Sequence, residues 1–436
     1  MKNFTLLLSL FCLFIIPNFV LASDIVINNY FIDTKISFAE QSVQVELICS
    51  LQKNKDSDDI QFLLNSSYSM NSISYYDEND WLPILFKFNG KDSLLLITGE
   101  VLKNYSNVEL KFQYTFEIEE MNDTLLLLDR GHRWYPLIIN QIFTYKMKCE
   151  VPEGYRVLSS GNLIENMKTG NSLFIYECEK PIFKLPLIVF KNNAYKHLEF
   201  LSEKNKLDFY SREIDSTAII KMLNHADSIL SYFSKTIGPY SREELIFFEV
   251  ADFGGINVGS GLLTIGKQSV EMINKGFNDF LILTIAQQWF TTAVFADFNE
   301  PGFFFFTISL PHYLRLMYIR GSRGEEAFNE ALLKPLEKYK EFAGNEDDIP
   351  IIDVDMPYTR EKGLILYAKG PYVLNMIVQE MGVEVWKLFL RDLYKTYIGK
   401  IMTMDDFENY INKYDKSGKI LTLFKELINE KGLPQE

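Results

Sequence analysis

The chain has 436 residues, of which 47% are hydrophobic and 14% are aromatic, and its formal net charge is -14 at pH 7. This length and apolar content predict two or three globular domains with extensive cores. The acidic balance argues against nucleic-acid binding and against binding to an anionic membrane surface, because no basic stripe is available to neutralise phosphates.

Residues 1–22 have the pattern of a secretory signal peptide. Lys2 supplies the charged amino-terminal region, Phe4–Val20 is apolar, and Val20-Leu21-Ala22 forms a permitted cleavage site. We therefore expect the protein to be exported, to the periplasm, the cell surface or the medium. After cleavage we expect no integral membrane span. An uncleaved membrane anchor is the alternative.

Three cysteines remain once this segment is removed: Cys49, Cys149 and Cys178. An oxidising compartment allows one pair to form a disulfide. Cys149 and Cys178 lie on two predicted strands that flank the turn region 161–170, and antiparallel pairing of those strands would place the thiols opposite each other. We predict a disulfide between Cys149 and Cys178 and a free Cys49.

Residues 23–203 are predicted to form an amino-terminal β domain. In the clearest strand, Val108–Ile118, apolar residues occur at every second position. Other segments with the composition of strands are Val43–Leu51, Leu94–Thr98, Leu125–Leu128, Thr144–Val151 and Ser172–Cys178.

Residues 204–436 are predicted to form a second, mostly helical domain, with Lys204–Tyr210 as the junction. From Ile214 onward the apolar period changes to three or four residues, which is typical of an amphipathic helix, and Gly238 ends it. Further predicted helices are Glu326–Tyr339, Pro371–Met381 and Val383–Tyr397.

The stretch Leu281–Phe306 is apolar over most of its length. By itself such a run is most often a buried core helix, and the polar side chains of Thr284 and Gln287 in its middle argue against a membrane span. We predict a buried helix through Leu283–Phe290 with Trp289 in the core. Gln287 should find hydrogen-bond partners, because a buried amide left unpaired costs about 1–3 kcal/mol.

Residues Thr284–Phe290, TIAQQWF, resemble the zinc helix of the aminopeptidase N family of gluzincin metallopeptidases. In that family the pattern is H-E-L-A-H-Q-W-F. The two histidines and a later glutamate bind zinc, and the glutamate between the histidines activates the bound water. The matching positions in this sequence are Leu283, Thr284, Gln287 and Phe306, or Phe305 if the intervening loop is one residue shorter. Leucine and phenylalanine have no lone pairs to give, threonine is no base at neutral pH, and glutamine is a poor zinc ligand.

Phe253–Leu262 resembles the family's G-x-M-E-N strand, whose glutamate binds the free amino group of the substrate. The corresponding segment contains Gly255, and the glutamate position falls on Asn257 or Val258, so the carboxylate is absent. The glycines by themselves are also explained by a bulged strand or a turn.

Tyr367–Leu374, YAKGPYVL, resembles the family's Y-x-K-G segment. The tyrosine of that segment hydrogen-bonds the developing oxyanion, and Tyr367 is retained at this position. A core or groove tyrosine with a satisfied hydroxyl is the alternative interpretation.

Three further segments extend the resemblance over nearly all of the mature chain. His132–Leu137 resembles the family's W-Y-P segment, Cys149–Asn162 resembles its strand and turn before an S-N-G sequence, and Tyr414–Pro434 resembles the close of its catalytic domain. The resemblance implies an α+β protein in which a β-saddle or sandwich domain precedes a thermolysin-like domain, with a groove between them.

These replacements predict a pseudopeptidase that holds no zinc and no other cofactor, and that binds a peptide or a protein or serves as a structural subunit. The alternative is a hydrolase with a non-standard or metal-free active site in the inter-domain cleft. In that case Asp297 and Glu300 just after the apolar stretch, together with Tyr367 as an acid, are candidate groups. Ordinary loop carboxylates are the simpler interpretation of Asp297 and Glu300.

Overall fold

The computed structural model describes residues 25–53, 59–89, 94–99, 102, 105–117, 124–250, 255–356 and 358–433. The predicted signal peptide and residues Ile118, Phe253, Gly254 and Pro434 lie outside this part of the chain.

The amino-terminal half is built from strands, as predicted. Every predicted strand is confirmed, with bounds that agree or differ by a few residues. The strands are β1 (Ile25–Ser37), β2 (Ser42–Lys53), β3 (Asp59–Leu63), β4 (Ser69–Tyr76), β5 (Trp81–Pro83), β6 (Leu85–Asn89), β7 (Leu94–Thr98), β8 (Asn107–Glu117), β9 (Leu125–Leu128), β10 (Phe143–Val151), β11 (Tyr155–Ser159), β12 (Asn162–Thr169), β13 (Asn171–Ile182) and β14 (Leu187–Lys191).

Within the described residues these strands form one large sheet and two small ones. The large sheet has eight strands in the order β12-β13-β10-β1-β2-β8-β4-β5, and the small sheets have the orders β11-β14-β9 and β3-β7-β6. Strands β1 and β10 are parallel, whereas β1 and β2, and β2 and β8, are antiparallel. Every second residue of β8 is buried, which is the half-buried alternation that its sequence predicts.

The W-Y-P segment, Trp134–Pro136, is buried in the core of this half. Trp134 is fully buried and donates a hydrogen bond from Nε1 to the Leu185 carbonyl at 3.1 Å. The hydroxyl of Tyr114 donates to the Trp134 carbonyl at 2.7 Å, and that of Tyr30 donates to the Pro136 carbonyl at 2.6 Å. The segment therefore holds the sheet together, since its backbone groups are satisfied by buried tyrosines.

The predicted disulfide is wrong. Strands β10 and β13 do pair antiparallel, but Cys149 is opposite Phe174 and Cys178 is opposite Tyr145. This register separates the two cysteines by four positions, or about 13 Å along the strands, whereas a disulfide needs Cα atoms about 5.5 Å apart. Both thiols are free and buried, and so is Cys49.

The carboxy-terminal half combines a five-stranded sheet, of order β15-β16-β17-β19-β18, with helices and one short strand pair. The strands are β15 (Lys196–Leu201), β16 (Lys206–Ser211), β17 (Glu244–Glu249), β18 (Ile256–Val258), β19 (Leu262–Ile265), β20 (Phe295–Ala296) and β21 (Ile401–Met402). The helices are α1 (Ser216–Thr236), α2 (Lys267–Asn274), α3 (Asp279–Ala286), α4 (Leu310–Arg323), α5 (Glu325–Lys340), α6 (Arg360–Leu364), α7 (Gly370–Met381), α8 (Val383–Tyr397), α9 (Met404–Tyr414) and α10 (Lys419–Asn429).

The predicted helices are confirmed as α1, α5, α7 and α8. The carboxylate of Asp215 caps α1 by accepting hydrogen bonds from the backbone of Thr217 and Ala218, and the helix ends just before Gly238. Two of the helices are continued by π-helical turns: Phe305–Ser309 leads into α4, and Ile365–Lys369 joins α6 to α7.

The two halves share a small apolar core. Leu158, Ile188 and Phe190 of the β half pack with Tyr210 and Phe248 of the five-stranded sheet. The predicted boundary after residue 203 lies in the turn between β15 and β16, which pair with each other, and it stays a prediction. No helix in the described part of the chain is long and apolar enough to cross a membrane.

Candidate functional site

The helix of the zinc-like motif is buried but shorter than predicted. It ends at Ala286, and the chain then turns, with the backbone N–H of Thr292 bonded to the Gln287 carbonyl and that of Val294 to the Trp289 carbonyl. The turn is needed because the chain must next form β20, which pairs with β21. The predicted burial of Trp289 is confirmed.

Trp289 and Gln288, which the resemblance retains, both bind backbone. The Trp289 Nε1 donates to the Gly238 carbonyl at 2.9 Å, beyond the end of α1. The Gln288 side chain donates from Nε2 to the Gly259 carbonyl at 3.0 Å and accepts from the Gly261 N–H at 3.1 Å. These two side chains therefore fix the end of α3 against α1 and against the turn between β18 and β19.

The replaced positions on α3 are engaged within the core. Leu283 is half-buried, and Thr284 is buried with its hydroxyl donating to the Phe280 carbonyl of its own helix at 2.9 Å. The buried Gln287 donates from Nε2 to the Thr307 carbonyl at 3.4 Å, so its predicted hydrogen bond exists but is long. This contact brings the end of α3 against the π-turn that carries Phe305 and Phe306.

The position of the third ligand lies in an aromatic cluster. Phe305 and Phe306 are buried, and their ring centroids lie 5.8 Å and 5.5 Å from that of Phe407 on α9. Phe305 also packs against Phe424 of α10 at 5.7 Å. Across the described residues no group of three or more His, Cys, Asp or Glu side chains is placed to hold a metal ion.

The segment that resembles the substrate-binding strand forms the edge of the five-stranded sheet. Gly255 is buried just before β18, the exposed Asn257 is opposite Thr264, and the half-buried Val258 is opposite Leu263. The strand thus lies at the edge of the sheet and offers the amide of Asn257 or the apolar side chain of Val258 at the position predicted for the family's carboxylate.

In the Y-x-K-G segment Tyr367 is partly exposed, whereas Lys369 and Gly370 make contacts that stabilise the fold. Tyr367 is half-buried in the π-turn Ile365–Lys369, and burial raises the pKa of its hydroxyl. The buried Lys369 donates from Nζ to the Glu430 carbonyl at 2.6 Å, which ties the end of α10 to this turn. Gly370 leaves room for Ser309, because a Cβ at residue 370 would lie 2.5 Å from the Ser309 Cβ and closer still to its Oγ.

The loop carboxylates that follow α3 have a local role. Asp297 accepts a hydrogen bond from the Asn299 N–H at 2.9 Å, and its carbonyl accepts from the Glu300 N–H at 3.2 Å. Glu300 itself is exposed. This is the hydrogen bonding of a turn, in line with the simpler of the two interpretations.

His312 on α4 is the side chain near Tyr367 that the sequence did not single out. Its ring centroid lies 5.9 Å from that of Tyr367, with the rings tilted by 32°. The two residues are far apart in the sequence and have no motif in common, so only the packing of the two helical segments brings them together.

Comparison with known proteins finds no match to the sequence but finds several solved structures with a similar fold. No protein-family model and no curated protein matches the sequence. Among solved structures, a mutant of a two-domain M1 zinc metallopeptidase bound to L-arginine has a TM-score of 0.75 and 13% identity, covering 95% of this chain and 96% of that one. An M1 zinc metallopeptidase from Deinococcus radiodurans has a TM-score of 0.71 and 12% identity, covering 94% and 95%. Yeast LTA4 hydrolase has a TM-score of 0.72 and 13% identity, covering 95% and 69%.

The chain therefore has the fold of the M1 zinc metallopeptidases, in their two-domain form. This confirms the predicted α+β class, with a β half followed by a mostly helical half. Identities of 12% to 13% establish similarity of fold alone.

Proposed function

We propose that this protein is an exported pseudopeptidase of the M1 fold, which binds a peptide or a partner protein, or serves as a structural subunit, without hydrolysing it. One observation carries the proposal. The motif residues that hold backbone together are kept, whereas those that would carry zinc chemistry are replaced.

The kept residues share a physical task. Gln288 and Trp289 bind backbone at the end of α3, Lys369 binds backbone at the end of α10, and Gly370 allows two helical segments to touch. Loss of any of these would leave buried polar groups unpaired or force an overpacked contact. They support the fold whether or not the protein is an enzyme.

The replaced residues, in contrast, cannot supply zinc chemistry. Zinc hydrolysis needs three protein ligands with an open fourth position, and a base beside the bound water. Leu283, Gln287 and Phe306 supply no effective ligand set, and Thr284 supplies no base. The hydroxyl of Thr284 and the amide of Gln287 are already bonded to backbone carbonyls within the core.

Export rests on the sequence of residues 1–22 alone. Expression of the full chain with a carboxy-terminal tag, followed by fractionation and amino-terminal sequencing, tests it. A mature protein that begins close to Ser23 in an exported fraction supports export. A chain retained in the cell with an intact amino terminus counts against it.

Catalysis is tested on the purified mature protein by elemental analysis for zinc beside a turnover assay with a panel of aminoacyl reporter substrates. We expect no stoichiometric zinc and no turnover, even with added zinc. Zinc near one equivalent, together with turnover that a chelator abolishes, would refute the proposal. Turnover that survives a chelator would instead support the alternative, a metal-free hydrolase.

A variant with restored histidines tests whether the motif positions are correctly matched to this sequence. Leu283→His and Gln287→His together restore two histidines at i and i+4. Thr284 and Phe306 are left unchanged, because a glutamate at either buried position would be an unpaired charge in the core. Zinc binding by this variant, with none by the wild type, shows that the motif positions are correctly matched.

A further inference from the structure

The two π-turns, Phe305–Ser309 and Ile365–Lys369, lie against each other, and Tyr367 belongs to the second. The Oγ of Ser309, at the end of one turn, donates to the Leu366 carbonyl of the other at 2.8 Å, and Gly370 leaves space for this contact. π-turns are rare and are frequent at functional sites. One of the turns contains Tyr367, and the other leads into α4, which carries His312.

The paired turns place His312 beside Tyr367. Their ring centroids are 5.9 Å apart, and both side chains are half-buried. The Nδ1 of His312 is shielded from solvent and has no hydrogen-bond partner. Within the described residues, no hydrogen bond is made by the Nε2 of His312 or by the hydroxyl of Tyr367. The Nε2 of His312 and the hydroxyl of Tyr367 are therefore the polar atoms of this pair that a ligand can contact, whereas the shielded Nδ1 is not.

The environment of His312 and Tyr367 leaves both side chains able to donate a hydrogen bond. Burial and the positive charge of Arg315 hold the pKa of His312 well below its usual range, so that the ring is neutral and carries one N–H. Burial raises the pKa of the Tyr367 hydroxyl, which keeps its proton. The positive charge of Arg360, an exposed residue seven positions before Tyr367 in the same helical run, partly offsets this rise of the pKa. Arg315 itself is bound by Asp279 at 2.8 Å.

We propose that His312, Tyr367 and Arg360 form a metal-free binding site for the carboxylate of a short peptide or an amino acid. A carboxylate accepts hydrogen bonds with both oxygens and carries a single negative charge, which matches neutral donors beside one cation. This names a ligand class for the peptide-binding role proposed above and rests on that role. It does not use the positions Leu283, Thr284, Gln287 or Phe306.

The test is calorimetric titration of the mature wild-type protein with three probes. They are the tripeptide alanyl-phenylalanyl-alanine, the same tripeptide with an amidated carboxy terminus, and free phenylalanine. We expect the free-acid tripeptide to bind at least about tenfold more tightly than the amide, because the amide removes the charge-assisted bonds. Binding of free phenylalanine identifies an amino-acid site, and binding of the tripeptide alone identifies a peptide site; both outcomes support a carboxylate site.

Two variants assign the binding to these residues. Tyr367→Phe and His312→Phe each remove one hydrogen-bonding group with little change of volume, and each should weaken binding of the free-acid tripeptide by about fivefold to tenfold. Tyr318→Phe is the matched control, since Tyr318 is a half-buried tyrosine on the same helix as His312, and it should bind as the wild type does. Circular dichroism confirms that each variant is folded.

Equal affinity for the acid and the amide, no binding of any probe, or wild-type affinity in both the Tyr367 and His312 variants would overturn the carboxylate site. None of these results bears on the absence of zinc and turnover. Conversely, chelator-sensitive turnover would remove the pseudopeptidase proposal whatever the titrations show. The two proposals therefore fail separately.

Discussion

Gly370→Ala tests whether the close contact of the two π-turns is a structural requirement. An added Cβ would lie 2.5 Å from the Ser309 Cβ, well inside van der Waals distance. Overpacking of this kind costs about 1–3 kcal/mol. Displacement of Ser309 would also break its hydrogen bond to the Leu366 carbonyl, which contributes about 0.5–1.5 kcal/mol. The gain in helix propensity from glycine to alanine offsets about 1 kcal/mol, so we expect a net loss of about 1–3 kcal/mol.

The compensating change separates steric strain from a general intolerance of substitution. Ser309→Gly removes the Cβ and Oγ that the new alanine meets, at a cost of about 2 kcal/mol for the lost hydrogen bond and the added helix glycine. The double variant removes the Cβ at residue 309 and adds one at residue 370, which relieves the clash. We therefore expect it to be more stable than the sum of the single losses by about 2 kcal/mol.

Urea denaturation followed by tryptophan fluorescence measures these losses, and an unchanged m-value shows that the same transition is compared. Gly363→Ala, in the same helical run, is the control. Its Cβ would meet the Tyr358 hydroxyl at 2.9 Å rather than Ser309, so we expect that Ser309→Gly does not relieve any loss it causes. Strictly additive losses in the Gly370 and Ser309 variants would refute the steric argument.

Three further outcomes are expected. Gln288→Leu leaves the Gly259 carbonyl and the Gly261 N–H without their partner and should lower the free energy of unfolding by about 2–4 kcal/mol in urea, whereas an effect below about 1 kcal/mol would show that water replaces the amide. Burial raises the pKa of Asp208, but the hydrogen bond from His197 and the charge of Lys206 outweigh it and hold that pKa below its usual value. Its contribution to stability is therefore present above the unfolded pKa of about 3.9 and is lost as the pH falls through the folded pKa, so Asp208→Asn should flatten the acid decline of Tm below about pH 4. All the thiols of the mature protein are free, so a thiol reagent should label none quickly in buffer and all three in urea, with the same Tm with and without reductant; a labelling deficit in urea would reveal a disulfide.

The types of the elements followed from local chemistry. Alternating polarity identified β8, and three-to-four-residue periodicity identified α1, because each pattern reflects which face of an isolated element is buried. The predicted loss of zinc chemistry was equally an inference from local properties. A side chain without lone pairs or a titratable group cannot bind zinc or act as a base in any fold.

Two expectations failed where the answer depended on pairing or on chain direction. The disulfide needed the register of β10 against β13, and a register shift between Phe143 and Tyr145 forms part of that pairing. The helix through Phe290 needed knowledge of where the chain goes next. The apolar run continues past Ala286 without a sequence signal that the helix stops, because the turn is imposed by the pairing of β20 with β21.

The sequence by itself determined that this chain carries the framework residues of a zinc peptidase motif without its ligands. Only the tertiary structure decided what each kept residue does. Gln288 and Lys369 could equally have been polar lining of a cleft, and their contacts with distant carbonyls show that they hold backbone instead. The proximity of His312 and Tyr367 likewise arises from two π-turns in contact. Such contacts join residues far apart in the chain, and no periodicity or motif spacing records them.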